Sequence, residues 1–242
     1  MNYLIIGASS GLGRELSFKF AENKNNLLIS SRDERDLKAL QSDLVNKFKI
    51  DVKTLEIDIT SEESIKSNLL SNQKLLNNID GILFPVGLMH DNDDTSLDLE
   101  KINDITKANF SSIAYIASHY LNLRKEGTIV GFGSVSGYLG RNLNTFYAAS
   151  KRALESYFES IGFEGKRNKI NIQFYILGYL ETNLSFGKKL LLPKGSTKKL
   201  SEIVYKNRNV KFKKFFFPKW WALIIFLLKI FPFSFLLLLY KK

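Results

Sequence analysis

Cysteine is absent from the 242 residues, and histidine occurs only twice. The absence of cysteine excludes disulfides and thiolate metal sites, and it suits a reducing compartment. The apolar run at the N-terminus, residues 3–6, is too short for the core of a signal peptide, so we expect a cytosolic catalytic part. A hydrophobic content of 45% and a charged content of 24% are typical of a globular chain and indicate neither disorder nor a polytopic membrane protein.

Acidic residues are nearly missing from one segment of the chain. Residues 187–219 hold 11 Lys and Arg but one acid, Glu202, whereas residues 1–186 hold 21 Lys and Arg against 23 Asp and Glu. The excess positive charge therefore lies in the last quarter, directly before an apolar run. Basic residues beside an apolar segment favour attraction to anionic lipid headgroups. Binding of nucleic acid is not expected, because the cluster belongs to no recognisable binding module.

Short apolar runs alternate with longer amphipathic segments along the chain. The runs have the composition of strands buried on both faces of a parallel sheet, and they cover residues 3–6, 27–30, 52–57, 81–84, 128–132, 170–176 and 213–217. Helical spacing is found over residues 14–22, 34–48, 101–123 and 145–166. The alternation predicts a doubly wound α/β domain with a parallel sheet of about seven strands over residues 1–217. Residues 218–242 form a hydrophobic C-terminal tail that we expect to associate with a membrane.

A glycine-rich turn, GASSGLG, follows the first predicted strand and opens the first helix. Glycines at such a turn let the backbone approach a pyrophosphate, and the free N–H groups of the helix N-terminus supply positive potential. The sequence therefore predicts a dinucleotide site, and the residues expected to contact the dinucleotide are Gly7, Ser9, Ser10, Gly11, Leu12 and Gly13.

Further motifs lie at fixed places behind this turn: Asp58 in LEIDIT, Asn109 in KANFSS, Ser134, and the pair Tyr147 and Lys151 in YAASK. Together with the glycine turn they resemble the short-chain dehydrogenase/reductase family over residues 3–217. The resemblance implies a Rossmann-type fold, a nicotinamide cofactor, a homo-oligomer and a catalytic set of Asn109, Ser134, Tyr147 and Lys151. It also implies cofactor contacts from Asp58, Ile59, Gly87, Tyr147, Lys151 and Thr182.

The sequence departs from the family's usual pattern in two places. Pro85-Val86-Gly87 stands where an Asn-Asn-Ala-Gly turn is usual, and Leu177-Gly178 stands where Pro-Gly is usual. Neither change removes a catalytic group.

The tyrosine and lysine of YAASK also carry a physical argument. Tyr147 and Lys151 are one helical turn apart, so their side chains point into the same cleft. A nearby ammonium lowers the pKa of a tyrosine from about 10 toward neutral pH, which suits a general acid or base. The expected reaction is hydride delivery from the nicotinamide to a carbonyl carbon, with Tyr147 protonating the oxygen and Ser134 polarising it. The alternative is that YAASK only begins an amphipathic helix.

Cofactor choice depends on the end of the second strand. An acid there favours NAD, whereas Ser31 and Arg32 can accept a 2′-phosphate. NADP(H) is therefore favoured over NAD(H). The alternative is that Arg32 pairs with Asp33 or Asp36 on the surface.

The apolar tail is long enough for a membrane-spanning helix over residues 220–240, since such a helix needs about 20 residues. Lys229, Pro232 and the two terminal lysines all disfavour a clean span. We therefore expect a peripheral or monotopic protein on the inner face of the cytoplasmic membrane. A single-pass C-terminal anchor and contact with a partner subunit are the alternatives.

The tail, together with VGLMHD and GFGSVSGYLGRN, resembles the decaprenylphosphoryl 2-keto-ribose reductase group within the family. This resemblance implies a keto-sugar on a polyprenyl phosphate or another membrane-resident carbonyl as the substrate. The alternatives are a reductase of soluble sugars or 3-oxoacyl substrates whose tail serves oligomerisation, and a non-catalytic NADP-binding protein.

Some other polar residues are weaker candidates. His90 with Asp91, Asp93 and Asp94 suggests a metal site, but the spacing lacks ligand periodicity, and a solvated loop is the better prediction. His119 is expected to pack within a helix or face solvent. A further pair, Arg141 and Asn142, is expected at the mouth of the cleft, where it can touch a polar substrate.

Overall fold

The structure, a computed structural model, describes residues 1–140, 143–182, 192–231 and 234. Within these residues, seven strands form one parallel sheet. The strands are β1 Asn2–Ile6, β2 Asn26–Ser31, β3 Val52–Glu56, β4 Gly81–Phe84, β5 Gly127–Ser134, β6 Ile170–Leu177 and β7 Lys213–Phe217. Their order is β3-β2-β1-β4-β5-β6-β7, so the predicted doubly wound α/β sheet is confirmed.

Helices cover both faces of the sheet. They are α1 Gly11–Glu22, α2 Glu34–Phe48, α3 Glu62–Ile65, α4 Gln73–Asn77, α5 Leu99–Thr106, α6 Ser112–Leu123, α7 Thr145–Arg167, α8 Thr197–Asn207 and α9 Trp221–Ile230. Because successive side chains of a strand point to opposite faces, β1 sends Leu4 and Ile6 into one core and Tyr3 and Ile5 into the other. All four are buried, which explains why the strand reads as a continuous apolar run.

The predicted helix over residues 101–123 is divided in two. A π-helical turn, Lys107–Ser111, separates α5 from α6 and contains Asn109. Such turns are rare and occur often at functional sites, and helical periodicity alone does not reveal them. The fifth strand, predicted over residues 128–132, continues two residues further in the structure, because β5 ends at Ser134.

The segment after β7 is a short apolar helix, α9, which packs on the domain through one face. Trp221 and Ile225 are buried, whereas Leu223, Phe226 and Ile230 are each about 60% exposed, at 62%, 62% and 60%. In the described ranges, no helix has the length and apolar character needed to cross a bilayer. Residues 232–233 and 235–242, including Pro232 and the terminal lysines, fall outside the described residues, as do Arg141 and Asn142.

Candidate active site

A cavity of about 650 Å³ opens at the carboxyl ends of the strands. It lies where the strand order reverses, with β1 between β2 and β4, which is the usual ligand position in a doubly wound sheet. Its walls are drawn from the segments after β1, β2, β4, β5 and β6, from α7 and from α9. The sheet therefore gathers residues that are far apart in sequence into one site.

The glycine-rich turn forms one end of this cavity. Gly7 and Gly11 have φ angles of 87° and 49°, a region that disfavours a side chain. The turn is anchored because the N–H groups of Gly7 and Ala8 both donate to the carbonyl oxygen of Ser30, at 2.8 and 2.9 Å. The residues of the turn that line the cavity are Gly7, Ser9, Ser10, Gly11 and Leu12.

Gly13 lies behind the cavity wall. A Cβ there would come within 1.9 Å of the carbonyl oxygen of Gly7, so only glycine allows α1 to approach the turn this closely. Gly13 therefore has a packing role, and its contact with the dinucleotide stays a prediction.

The geometry of the turn fits a dinucleotide. The N-cap residue of α1, Ser10, makes no side-chain cap bond within the described part of the chain, so the first N–H groups of α1 need another acceptor. A pyrophosphate supplies such an acceptor at a helix N-terminus. Thr182 lines the cavity opposite, and its Cγ2 lies 3.4 Å from the point where a Cβ of Gly11 would be.

The end of β2 forms the part of the cavity wall that is expected to distinguish NADP(H) from NAD(H). Ser31 is buried and Arg32 exposed, and both line the cavity together with Asp33 and Asp36. Asp33 pairs with Arg35 at 3.6 Å, and among the described residues Arg32 forms no ion pair. The structure therefore does not show the alternative ion pair of Arg32 with Asp33 or Asp36.

Of the predicted cofactor residues Asp58, Ile59 and Gly87, two line the cavity and one does not. Gly87 and Ile59 contribute to the wall. Asp58 does not, and its Oδ1 instead accepts hydrogen bonds from the N–H and the hydroxyl of Thr60, at 2.9 and 2.7 Å. A contact of Asp58 with the cofactor stays a prediction.

Lys151 is the deepest charged group of the site. It is 3% exposed, and its Nζ donates to the carbonyl oxygens of Val86 at 2.9 Å and Phe132 at 3.1 Å. Burial lowers the pKa of Lys151 to about 7. The Nζ atom lies 6.0 Å from the ring centre of Tyr147, so the two residues of the YAASK motif meet in one cavity as predicted.

Ser134 ends β5 and lines the same cavity. Its Oγ accepts from the hydroxyl of Ser136 at 2.8 Å and from the N–H of Ser136 at 3.2 Å. Those two bonds leave the hydroxyl hydrogen of Ser134 available to donate to a substrate oxygen.

Asn109 is fully buried and does not line the cavity. Its side chain accepts from the N–H of Leu88 at 2.9 Å and donates to the carbonyl oxygen of Leu88 at 2.7 Å. It thereby fixes the segment whose Val86 carbonyl binds Lys151. A catalytic role for Asn109 stays a prediction.

Asp93 is the functional residue that sequence reasoning missed. Its acidic stretch predicts a solvated loop, but Asp93 is 1% exposed and binds the first N–H groups of α7, which carries Tyr147. Among the described residues, no group of three His, Cys, Asp or Glu side chains can hold a metal ion. His119 is half-buried within α6, and its Nε2 has no hydrogen-bond partner in the described part of the chain.

Helix α9 forms the remaining wall of the cavity through Trp221, Ile225 and Leu228. The indole of Trp221 lies directly on Gly178, where an added Cβ would come within 1.7 Å of Nε1. The small residue after β6 therefore makes room for the helix. Through this contact, the segment after Pro218 lines the cavity with one face while its other face is exposed.

A family model described as short chain dehydrogenase matches residues 2–189. The chain belongs to the short-chain dehydrogenase family. It is 26% identical over 90% of its length to a hydroxysteroid 11-beta-dehydrogenase 1-like protein of Xenopus laevis, covering 77% of that protein. It is 27% identical over 75% of its length to a very-long-chain 3-oxoacyl-CoA reductase of Vanderwaltozyma polyspora, of which it spans only 56%.

Solved structures of the same fold include a short-chain dehydrogenase from Sphingobium yanoikuyae in complex with NADPH. It superposes with a TM-score of 0.78 at 21% identity, over 90% of this chain and 87% of that one. The chain thus has the fold of a short-chain dehydrogenase, an oxidoreductase that interconverts alcohols and carbonyls, and its cavity brings Ser134, Tyr147 and Lys151 together.

The buried lysine of this short-chain dehydrogenase leads to a prediction about stability. Burial lowers the pKa of Lys151 to about 7 in the folded protein, whereas the pKa of a lysine in an unfolded chain is about 10.4. The unfolded chain binds more protons between these values, so the free energy of unfolding rises with pH in that window. From about pH 7 to about pH 9, the wild type should gain about 2 kcal/mol relative to Lys151→Met. Urea unfolding across this range measures the gain.

The exposed Lys125 is the control, and Lys125→Met should follow the wild type. A constant difference between the wild type and Lys151→Met across this pH range would contradict the lowered pKa of Lys151.

Proposed function

We propose that the chain is an NADP(H)-dependent oxidoreductase that acts on a carbonyl or alcohol carried by a membrane-resident, largely apolar molecule. One observation carries the proposal. The cavity that holds Tyr147 and Lys151 is closed by α9, a helix whose inner face lines the cavity and whose outer face is exposed and apolar.

The residues around the cavity have distinct tasks in this reaction. A bound nicotinamide supplies the hydride for the carbonyl carbon, or accepts it in the reverse direction. Tyr147 gives its phenolic proton to the carbonyl oxygen, and Ser134 donates a hydrogen bond to the same oxygen. Lys151, when protonated, stabilises the phenolate that remains on Tyr147. Its two carbonyl acceptors, on Val86 and Phe132, hold the ammonium in place for this role.

The proposed preference for NADP(H) rests on Arg32 at the cavity wall. A guanidinium without an ion pair in the described residues is free to bind a 2′-phosphate, and the buried Ser31 adds a hydroxyl beside it. Two solved structures of the fold support the choice, since the Sphingobium yanoikuyae enzyme and an actinorhodin polyketide ketoreductase are both described with NADPH. Asp33 and Asp36 lie on the same wall, and their negative charges disfavour a 2′-phosphate. The preference for NADP(H) therefore depends on Arg32.

The lining beyond the catalytic groups supports an apolar substrate. Around the catalytic end, the apolar residues that line the cavity are Val135, Leu139, Leu180, Trp221, Ile225 and Leu228. The names of two relatives, a hydroxysteroid dehydrogenase-like protein and a very-long-chain 3-oxoacyl-CoA reductase, refer to an alcohol and a carbonyl compound that each carry a large apolar part. A keto-sugar on a polyprenyl phosphate also belongs to it, with the lipid chain against α9.

The outward face of α9 supports attachment to an anionic membrane surface. Leu223, Phe226 and Ile230 are mostly exposed, and the strand and turn that lead into the helix carry exposed Lys213 and Lys219. An apolar helix face next to basic residues is the arrangement that favours binding in the lipid interface. We propose that the protein lies on the membrane face that meets the NADPH-containing compartment, without spanning the bilayer. A homo-oligomer stays a prediction.

Vesicle flotation tests the membrane part of the proposal. The change is Leu223→Glu with Phe226→Glu, two exposed positions whose replacement leaves the cavity wall intact. We expect the fraction bound to phosphatidylglycerol-containing vesicles to fall at least about tenfold, because two apolar side chains lose their burial and two acids meet anionic lipid. Raising the salt concentration should weaken wild-type binding as well.

The matched control is Phe163→Glu, the same chemical change on α7 at a residue that is 73% exposed. It should float like the wild type. If neutral vesicles bind equally well at every salt concentration, the basic residues do not contribute to membrane binding. If the double variant also floats like the wild type, α9 is not the membrane-binding face. An oligomerising role for the segment then becomes the better account.

A further inference from the structure

The catalytic helix α7 begins without a cap of its own. Its N-cap residue, Asn144, has φ 61° and ψ 39° and makes no side-chain cap bond among the described residues. A capping side chain normally reaches forward from an extended backbone, whereas the backbone of Asn144 is left-handed. The first N–H groups of α7 therefore require an acceptor from elsewhere in the fold.

Asp93 supplies that acceptor from a distant part of the chain. Its Oδ1 accepts from the N–H of Phe146 at 2.8 Å, and its Oδ2 accepts from the N–H of Tyr147 at 2.9 Å. Its backbone carbonyl oxygen accepts from the N–H of Thr145 at 3.0 Å. One residue thus binds three consecutive N–H groups at the helix start, and it is 1% exposed while doing so.

We infer that Asp93 is a positioning residue for Tyr147, acting through the backbone of the catalytic helix. Tyr147 is the third residue of α7, and its own N–H is bound by the Asp93 carboxylate. Fixing this peptide sets the direction of the Cα–Cβ bond and thus the place of the phenolic oxygen in the cavity. A shift of about 1 Å in a reacting group can cost about a hundredfold in rate.

The chemistry of the site calls for a carboxylate. Two N–H groups converge on the side chain, and only a carboxylate offers an acceptor oxygen to each; an asparagine amide offers one oxygen and an NH2 group that cannot accept. The negative charge also complements the positive end of the helix dipole. Asn at this position therefore keeps the size but loses one hydrogen bond and the charge.

The loop that carries Asp93 is attached to the catalytic machinery at three points. The carbonyl oxygen of Val86 binds Lys151, the backbone of Leu88 is held by Asn109, and Asp93 holds the start of α7. Gly87, in the same segment, lines the cavity. The loop after β4 thereby connects the cavity wall to Tyr147 and Lys151.

Three variants test the inference: Asp93→Asn, Asp93→Ala and, as the matched control, Asp91→Asn on the exposed part of the same loop. The first measurement is amide hydrogen exchange at residues 146 and 147, which needs no substrate. We expect faster exchange at these two amides in both Asp93 variants, while the strands of the sheet and the Asp91 control keep wild-type protection. Since this readout does not depend on turnover, it stands even if the proposed substrate class is wrong.

The second measurement is turnover of 3-oxopalmitoyl-CoA with NADPH, expressed per NADPH-binding site. For Asp93→Asn we expect kcat to fall about tenfold and for Asp93→Ala about a hundredfold, with the Kd of NADPH unchanged within about threefold. A residue that only stabilises the fold would lower the number of binding sites and leave kcat per site unchanged. Wild-type exchange at residues 146 and 147, or wild-type kcat per site in Asp93→Ala, would overturn the inference.

Discussion

Replacing Tyr147 with phenylalanine should lower kcat by about a thousandfold while the Kd of NADPH stays within about threefold of the wild type. The phenolic hydroxyl is the proton donor in the proposed reaction, and general acid catalysis contributes about a hundredfold to ten-thousandfold. Phenylalanine keeps the ring and its packing beside Lys151, so the cavity should keep its shape. Stopped-flow measurement of NADPH oxidation and fluorescence titration of NADPH provide the two numbers.

The control for this change is Tyr115→Phe, a loss of the same hydroxyl at a 42% exposed residue on α6. Its turnover should match the wild type. Loss of a general acid lowers the rate by about a hundredfold to ten-thousandfold. If Tyr147→Phe keeps a tenth or more of wild-type kcat, another group therefore donates the proton. In that case the role of the YAASK motif is structural.

Replacing Glu155 with alanine should lower the free energy of unfolding by about 3 kcal/mol. Glu155 is 2% exposed, and its carboxylate is bound by Lys214 at 2.8 Å, by Arg152 at 2.9 Å and by the hydroxyl of Tyr138. Burial by itself would raise the pKa of Glu155, but hydrogen bonds from Lys214 and Tyr138 lower it overall. Alanine would leave these donors facing a space without an acceptor. We place the effect at the lower end of the range for buried ion pairs, because Lys214 and Arg152 are partly exposed.

Urea unfolding of Glu155→Ala, Glu155→Gln and Glu159→Gln separates the contributions. Glu159 also binds Lys214 at 2.8 Å but is 50% exposed, so its replacement should cost no more than about 0.5 kcal/mol. Glu155→Gln should fall between the two, because the amide keeps the volume and one acceptor. Equal losses of unfolding free energy in the two glutamine variants would show that burial of Glu155 does not increase its contribution to stability.

The Glu155 cluster also connects the catalytic helix to α9. The ring of Tyr138 packs against that of Phe216 in β7 at a tilted angle, with ring centres 5.9 Å apart, and Lys229 of α9 lies 4.8 Å from the centre of the Tyr138 ring. A loss of Glu155 should therefore loosen the wall of the cavity as well as the fold.

The sequence predicted the parts of the site that depend on local order. A glycine turn between a strand and a helix, and a tyrosine and lysine one helical turn apart, keep their relation in any fold that forms those elements. This is why Gly7, Gly11, Tyr147 and Lys151 line the cavity as expected.

The parts that the sequence did not predict depend on contacts between distant segments. Asp93 lies in an acidic stretch with the composition of a solvated loop, and its partners follow 53 and 54 residues later. Glu155 shares the helix face of Lys151, but its partner Lys214 is placed by the pairing of β7 with β6. Neither relation leaves a periodic pattern in the chain.

Helix α9 is a further case, because its amino-acid composition does not show which of its faces packs on the domain. Nearly every residue of Trp221–Ile230 is apolar, so no stripe tells the inner face from the outer one. The apolar run therefore indicated a membrane or a partner, and it did not indicate that Trp221, Ile225 and Leu228 line the catalytic cavity. The match of Trp221 to Gly178 becomes visible only in three dimensions.

The rate of NADPH oxidation with a long-chain ketone in anionic vesicles, compared with its short, water-soluble analogue, tests the central claim most directly. The wild type should turn over the vesicle-bound ketone at least about tenfold faster per active site, and the Leu223→Glu, Phe226→Glu variant should lose this advantage because α9 no longer docks. NADH in place of NADPH should support a lower rate in both cases. Equal turnover of the soluble analogue and the vesicle-bound ketone by the wild type, unchanged in the double variant, would contradict the account.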